Sequence, residues 1–199
     1  MEDKKMGRRE RNKIRSRQAI LDAAAAEFKR KGFKETAIVD IMRTAKLGTG
    51  TFYNYFKTKD GVLLALLSNL VQDMEHTFDS MRAEGKSSLD LLQAGNACMG
   101  AYLDENRYVL PLFIAASEHA GAPDGAMGDL HAPGFKPLYS RIIQDGQARG
   151  EIRQDIPADL IAELFHSIFQ AAAFSQLRIP FQENIRLKTM LVVDGIREA

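Results

Sequence analysis

Apolar residues return every three or four positions along almost the whole chain, and no stretch of useful length alternates apolar with polar. Side chains three or four apart share one face of an α-helix, whereas a half-buried strand needs a period of two. The sequence therefore predicts an all-α fold of about nine helices. A first helix over about 10–31 carries Ile14, Arg17, Ile20, Leu21, Ala24 and Phe28 and stops at Gly32, a residue type common just past helix ends. A second, short helix over about 37–45 has Thr36 as its N-cap and turns Ile38, Ile41, Met42 and Ala45 inward. Lys46-Leu47-Gly48 interrupts it, with Gly48 expected at positive φ and Thr49 offering a hydroxyl to a third helix over about 49–55. Two short helices across a glycine-containing turn describe a helix-turn-helix. Thr58 then opens a long helix over about 59–82, striped by Leu63, Leu67, Leu70, Met74, Phe78 and Met81. Further helices are expected near 88–104 and 107–119, a Gly- and Pro-rich loop over about 120–134, and helices near 135–149, 157–178 and 182–197.

A chain of 199 residues, 45% hydrophobic, buries roughly two thirds of its unfolded surface and needs neither metal nor disulfide to hold a core. Its single cysteine, Cys98, excludes an intrachain disulfide. Within Ala97-Cys98-Met99, with no basic neighbour to favour a thiolate, Cys98 is expected to be a buried small apolar residue. The charged N-terminus lacks the apolar stretch of a signal peptide, and no run reaches the ~18 apolar residues of a membrane span. These features lead us to expect a soluble, cytoplasmic protein without membrane contact.

The net charge of +1 conceals a division. Residues 1–60 hold 16 Lys and Arg against 8 Asp and Glu, a balance of +8, and the remainder carries −7. Eight of the basic residues precede residue 18, among them Arg15 and Arg17. A block of this kind suits either a solvated arm or a polyanion, and the acidic remainder confines any phosphate contact to the first third of the chain.

The stretch Gly48-Thr49-Gly50-Thr51-Phe52-Tyr53-Asn54-Tyr55-Phe56-Lys57-Thr58-Lys59-Asp60 combines two kinds of side chain. Phe52 and Phe56, four apart, face inward on a helix, leaving Thr49, Thr51, Tyr53, Asn54 and Tyr55 largely on other faces. Short or planar hydrogen-bonding groups near a helix N-terminus suit phosphates and base edges in a major groove. Lys57 and Lys59, with the basic arm, would hold the flanking backbone.

The sequence here resembles the tetracycline-repressor (TetR) family of one-component bacterial regulators. The resemblance rests on Ile20-Leu21, Ala23-Ala24, Phe28, Gly32-Phe33, Thr36, Ile41, Ala45, Gly50-Thr51-Phe52-Tyr53, Tyr55-Phe56, Lys59-Asp60 and Leu63-Leu64. Thr49, where serine is frequent, and Thr58-Lys59-Asp60, for Ser-Lys-Glu, are conservative departures. The resemblance implies a DNA-binding domain at 1–58 and a helical effector-binding and dimerisation domain at 59–199. It also implies a homodimeric, ligand-inducible repressor that binds a palindromic double-stranded operator. DNA contacts are then expected at Arg15, Arg17, Thr36, Lys46, Thr49, Gly50, Thr51, Tyr53, Asn54, Tyr55 and Lys59. Thr36, Tyr53 and Lys59 would anchor phosphates and Thr49, Thr51 and Asn54 would read bases, an amide pairing with adenine and a threonine methyl meeting thymine. A small apolar effector would sit among Met74, Phe78, Met99, Tyr102, Phe113, His119, Phe135 and Phe169, residues that a plain core would also use. The last two helices would form the dimer interface through Leu160, Leu164, His166, Ile168, Met190, Leu191 and Val193. The long helix at 59–82 would act as the lever between the two functions.

Other constellations are weaker. Gly48-x-Gly50 lacks both the third glycine and the preceding strand of a dinucleotide fingerprint. Glu163-x-x-His166 is a single copy of a pair that a di-iron carboxylate bundle needs twice. Glu118, His119, Asp129 and His131 flank the long loop as charged groups that are more simply solvated than metal-bound. No cofactor, metal or catalytic arrangement is therefore expected. The alternative from another class is an all-α enzyme or metal-carboxylate protein with an incidental basic arm, which metal analysis and the salt dependence of duplex binding distinguish from a DNA reader. A nucleoid-type binder would differ again, by its indifference to sequence.

Overall fold

A computed structural model describes residues 7–110 and 135–198. Among these residues there are seven α-helices, two short 3-10 segments and no strand, the sole β pairing being an isolated bridge between Ile152 and Arg197. The expected helix near 107–119 lies mostly outside the described residues, as does the loop after it, and Arg107–Val109 forms a 3-10 turn. The chain divides into two compact units, Met1–Leu67 and Ser68–Ala199.

In the first unit, α1 (Arg8–Lys31) runs through the helix-favouring stretch Ala23–Ala26, and Lys29, Arg30 and Lys31 complement the negative end of its dipole. Gly32 at φ 84° halts it, its N–H returning to the Phe28 carbonyl. Helix α2 (Ile38–Thr44) follows, then a turn over 45–48 and a 3-10 segment, Thr49–Asn54. Ile20, Leu21, Ala24 and Phe28 of α1, Ile41 and Met42 of α2, and Phe52, Phe56 and Leu63 make the buried core.

The local chemistry departs from expectation in three places. Thr36 does not cap α2: its hydroxyl donates back to the Gly32 carbonyl at 2.8 Å, and Ala37 takes the N-cap position with its N–H bound to Asp40 Oδ2. Positive φ falls on Lys46 (57°) rather than Gly48 (−67°). The third helix is 3-10, closed by bonds such as Thr51 N–H to Gly48 O and Tyr55 N–H to Phe52 O. Six residues including a glycine and two threonines have little α-helical propensity, and tighter i to i+3 bonds suit so short a piece.

Helix α3 (Lys59–Ala83) begins where Thr58 Oγ1 accepts the Gly61 N–H, and continues beyond the unit boundary. The second unit then adds α4 (Ser88–Glu105), α5 (Phe135–Ala148), α6 (Ala158–Ala173) and α7 (Phe181–Ile196). A reciprocal cap starts α4, with Asp90 N–H on Ser87 Oγ and Ser87 N–H on Asp90 Oδ2. Helix α4 packs against α7 and α5, and α6 packs against α5 and α7. Leu91, Leu92, Met99, Leu103, Ile142, Ile143, Phe165, Ile185 and Val193 fill the space between them. One polar chain crosses this core: the Tyr139 hydroxyl donates to Asn96 Oδ1 (2.7 Å) and Asn96 Nδ2 donates to Thr189 Oγ1 (2.8 Å).

Helix α6 stops five residues short of the expected end. Ser175 Oγ accepts from the Leu177 N–H and from Asn184 Nδ2, a local alternative to continuing the helix. Cys98 is exposed, contrary to expectation, because the inward face of α4 is taken by Asn96, Met99, Gly100 and Leu103. Partial burial, and then the nearby Asp73 carboxylate, raise its thiol pKa, which disfavours the reactive thiolate.

Candidate nucleic-acid interface

The 3-10 geometry decides which residues of the Thr49–Asn54 segment and its flank reach solvent. Side chains three apart eclipse one another in such a helix. Within the segment Phe52 alone is fully buried; Thr49, three before it, is exposed at the segment's start, and Tyr55, just past its end, is half-buried. That leaves Gly50 with Tyr53, and Thr51 with Asn54, as outward pairs. Tyr53 is 63% exposed, and its ring stands edge-on to Phe52 with centroids 5.4 Å apart. The buried phenylalanine thus fixes the direction of an exposed tyrosine whose hydroxyl remains available. Thr49, Gly50 and Asn54 are exposed and Thr51 is partly so, and the Gly50 Cβ direction is open, allowing another surface to approach the backbone closely.

Arg15, Arg17 and Lys46 are all exposed. The Arg17 guanidinium lies 5.3 Å from the centroid of the Phe56 ring, which holds a mobile side chain to one place while leaving its donors free. The two remaining expected anchors behave differently. Thr36 is 2% exposed with its hydroxyl turned inward, so its side chain is not presented at the surface. Lys59 donates from Nζ to the carbonyls of Phe33, Lys34 and Thr36 and lies 4.5 Å from the Phe33 ring centroid. All three ammonium hydrogens have acceptors within the protein, so Lys59 ties the start of α3 to the turn between α1 and α2. The sequence shows that a lysine stands here but not that three carbonyls converge on it. It also gives no reason to single out Val39, a β-branched residue of α2 left 48% exposed.

A carboxylate bonded from two sides stiffens this unit. Glu27, only 7% exposed, accepts from the Thr44 hydroxyl at 2.7 Å and from Arg30. These bonds, the Thr44 bond foremost, hold its carboxyl below the ordinary range despite partial burial.

The second unit contains the residues expected to hold an effector. Met99, Phe135, Tyr139, Ala162, His166 and Phe169 surround an interior cavity of about 10 Å³, room for a single water. Met74 and Phe78 are buried but do not line it. Tyr102 is half-buried with its hydroxyl against that of Tyr108, and Phe113 and His119 lie outside the described residues. Lys136, which the sequence did not mark out, also lines the cavity and pairs with Glu163 at 2.7 Å. Burial, and then Lys136, lower the pKa of His166. Among the described residues no three potential metal ligands come together.

Of the residues expected at a dimer interface, Leu160, Leu164, Met190 and Leu191 are 40–70% exposed. His166 is half-buried at the cavity, and Ile168 and Val193 are packed within the protomer. Phe174 (71% exposed) and Leu177 (64%) were not anticipated, because a helix continuing to 178 would have given them no distinct place.

An all-α chain with two short helical segments across a tight turn, polar groups outward and a basic first helix, is a helix-turn-helix protein. Residues 20–66 match the family described as bacterial regulatory proteins, tetR family. The HTH-type transcriptional repressor NicS of Pseudomonas putida is 30% identical over 165 residues, covering 78% of this chain and 74% of NicS. The HTH-type transcriptional repressor DhaR of Mycobacterium sp. strain GP1 is 25% identical over 170 residues, 84% of each chain. The fold also resembles the crystal structure of Thermus thermophilus FadR, a TetR-family transcriptional repressor in complex with lauroyl-CoA, with a TM-score of 0.68 and 23% identity over 92% of this chain and 97% of that one. The chain belongs to the tetR family. Among the described residues no helix is long and apolar enough to cross a membrane.

Proposed function

We propose that this protein is a ligand-responsive repressor that binds a palindromic operator as a homodimer. The observation that carries this reading is the pairing of buried Phe52 and Phe56 with outward Tyr53, Asn54 and Thr51 in the strongly basic part of the chain. Tyr53, Arg15 and Arg17 serve the phosphates, Asn54, Thr51 and Thr49 read base edges, Lys46 supplies charge at the turn, and Gly50 lets backbone and DNA approach. Thr36 and Lys59 act by holding the segment in place, with the Thr36 side chain inside the fold and the Lys59 ammonium bonded to carbonyls.

Dimerisation is assigned to α6 and α7, through Leu160, Leu164, Met190 and Leu191, with Phe174 and Leu177 beside the end of α6. The effector is assigned to the cavity around Met99, Phe135 and Phe169, which must open well beyond its present volume to admit one. Its apolar walls favour an apolar ligand or ligand portion, such as the lauroyl chain of the lauroyl-CoA bound in the similar FadR structure. A ligand that stabilises the opened form shifts the population away from DNA-competent spacing by no more than its differential affinity. A hundredfold loss of operator affinity therefore requires about 2.8 kcal/mol of coupling, and α3, continuous between the units, is the element to transmit it.

The test is selection from a random duplex pool followed by titration over a range of salt. Recovered palindromes and affinity falling steeply with salt are expected. Recovery of no preferred sequence would refute the reading. Asn54→Ala should relax discrimination at one base position, whereas Tyr53→Ala should weaken all duplexes alike.

A further inference from the structure

A second concavity, distinct from the effector cavity, lies between α4 and α7. It measures about 730 Å³, within the range of small-molecule sites. Ala94, Ala97 and Ile185 supply apolar surface, and Asn96 and Thr189 also line it. Those two polar residues are 1% and 4% exposed. Buried amide and hydroxyl groups beside an apolar groove are costly unless they have partners.

Their hydrogen bonding leaves two hydrogens unused. Asn96 Oδ1 accepts from Tyr139, and one Asn96 Nδ2 hydrogen goes to Thr189 Oγ1. The second amide hydrogen and the Thr189 hydroxyl hydrogen are donated to no group among the described residues. The rim carries two charges of each sign, and each is balanced nearby. Glu183 and Arg186 form a two-bond pair at 2.7 Å each, and Asp90 caps Ser87 with Lys86 adding a favourable charge. Nothing in the groove calls for a charged guest: the amides of Gln93 and Gln182 on its rim can donate or accept, and the unused hydrogens at Asn96 and Thr189 are donors.

We propose that this groove binds a neutral, largely apolar molecule carrying a hydrogen-bond-accepting oxygen, which takes the Thr189 hydroxyl and the Asn96 amide as its donors. The polar chain gives the site a further property. Tyr139 and Thr189 are both hydroxyls, so the chain can run from Tyr139 through Asn96 to Thr189, as in the structure, or in reverse with the amide turned over. In the reverse sense Thr189 gives its hydrogen to Asn96 and has none for a guest. An acceptor in the groove therefore selects the observed sense and fixes Tyr139, whose ring forms part of the inner cavity wall, as donor to Asn96.

The probe is Nile red, a neutral dye with a carbonyl oxygen, titrated by fluorescence into the full chain. Saturable binding at one site per chain is expected, with a shift of the Asn96 side-chain amide signals in proton–nitrogen spectra. Ala97→Trp, at an exposed position, fills the groove and should weaken binding at least tenfold. Thr189→Val should weaken it about three- to tenfold, while Thr189→Ser restores it, a split that loss of packing alone would not produce. Absence of saturable binding would overturn the proposal. So would binding indifferent to Ala97→Trp, or binding abolished by Leu164→Glu on α6 with Ala97→Trp unaffected.

Discussion

Lys59 shows how a residue's type and its role come apart. A lysine after the recognition segment suggests a phosphate contact, yet its ammonium is bonded to the carbonyls of Phe33, Lys34 and Thr36. Lys59→Met should destabilise the protein by about 2 kcal/mol in urea unfolding, because charge-assisted bonds are lost and partly buried carbonyls are left without a donor. Operator affinity should fall with stability, but the slope of log affinity against log salt should stay unchanged. A slope reduced by about one with stability intact would instead make Lys59 a phosphate contact. His166 offers a second residue-scale measurement. Its pKa is lowered from 6.5 by burial and then by Lys136, while Glu163 faces Lys136 as its counter-charge. The unfolded chain therefore takes up a proton at this site at a higher pH than the folded one, and stability drops as pH falls below about 6.5. His166→Gln should flatten the dependence of the urea midpoint on pH between about 7 and 5.

At the scale of elements, periodicity carries most of the information and local polar competition carries the rest. The ranges of α1, α3, α4 and α5 were legible within one or two residues, because long apolar stripes mark them, with Gly32 and Thr58 as punctuation. The early end of α6 was not legible, since it depends on Ser175 meeting Asn184 of the next helix, a contact that no local pattern encodes. The recognition segment was legible in content but not in geometry: Phe52 and Phe56 are both buried as expected, but Phe56 and half-buried Tyr55 lie beyond the 3-10 segment, in the turn that leads to α3. The packing of α4 against its neighbours turns on Gly95, where a Cβ would stand 2.8 Å from both Phe78 Cζ and Tyr139 Oη. Both rings are buried and cannot swing aside. Gly95→Ala should therefore cost about 1–3 kcal/mol and lower the thermal midpoint measured by circular dichroism. A stability equal to that of the wild type would mean that the helices separate more easily than their close contact implies.

For the whole molecule, the division of charge and the exposed apolar residues bear on the same question of assembly. The basic excess lies in the first 60 residues and the acidic excess in the remainder, so contact with a polyanion favours the N-terminal part alone. Leu164 and Leu191 are 45% and 70% exposed, so charges can be placed there without opening a protomer core. The double variant Leu164→Glu, Leu191→Glu should keep its helix content, since neither side chain fills the interior, and sediment as a monomer, since a partner would have to bury two carboxylates. Its effect on DNA then follows from linkage. When one head of a dimer is bound, the second meets its half-site at an effective concentration that reaches the millimolar range, and a monomer lacks that advantage. Affinity for a palindromic duplex should drop by at least about two decades, while affinity for a single half-site stays near that of the wild type. Sedimentation and titration of both duplexes separate the cases: a monomeric variant that still holds the full palindrome at wild-type affinity would show that one reading head suffices, and the symmetric reading of the operator would have to be abandoned.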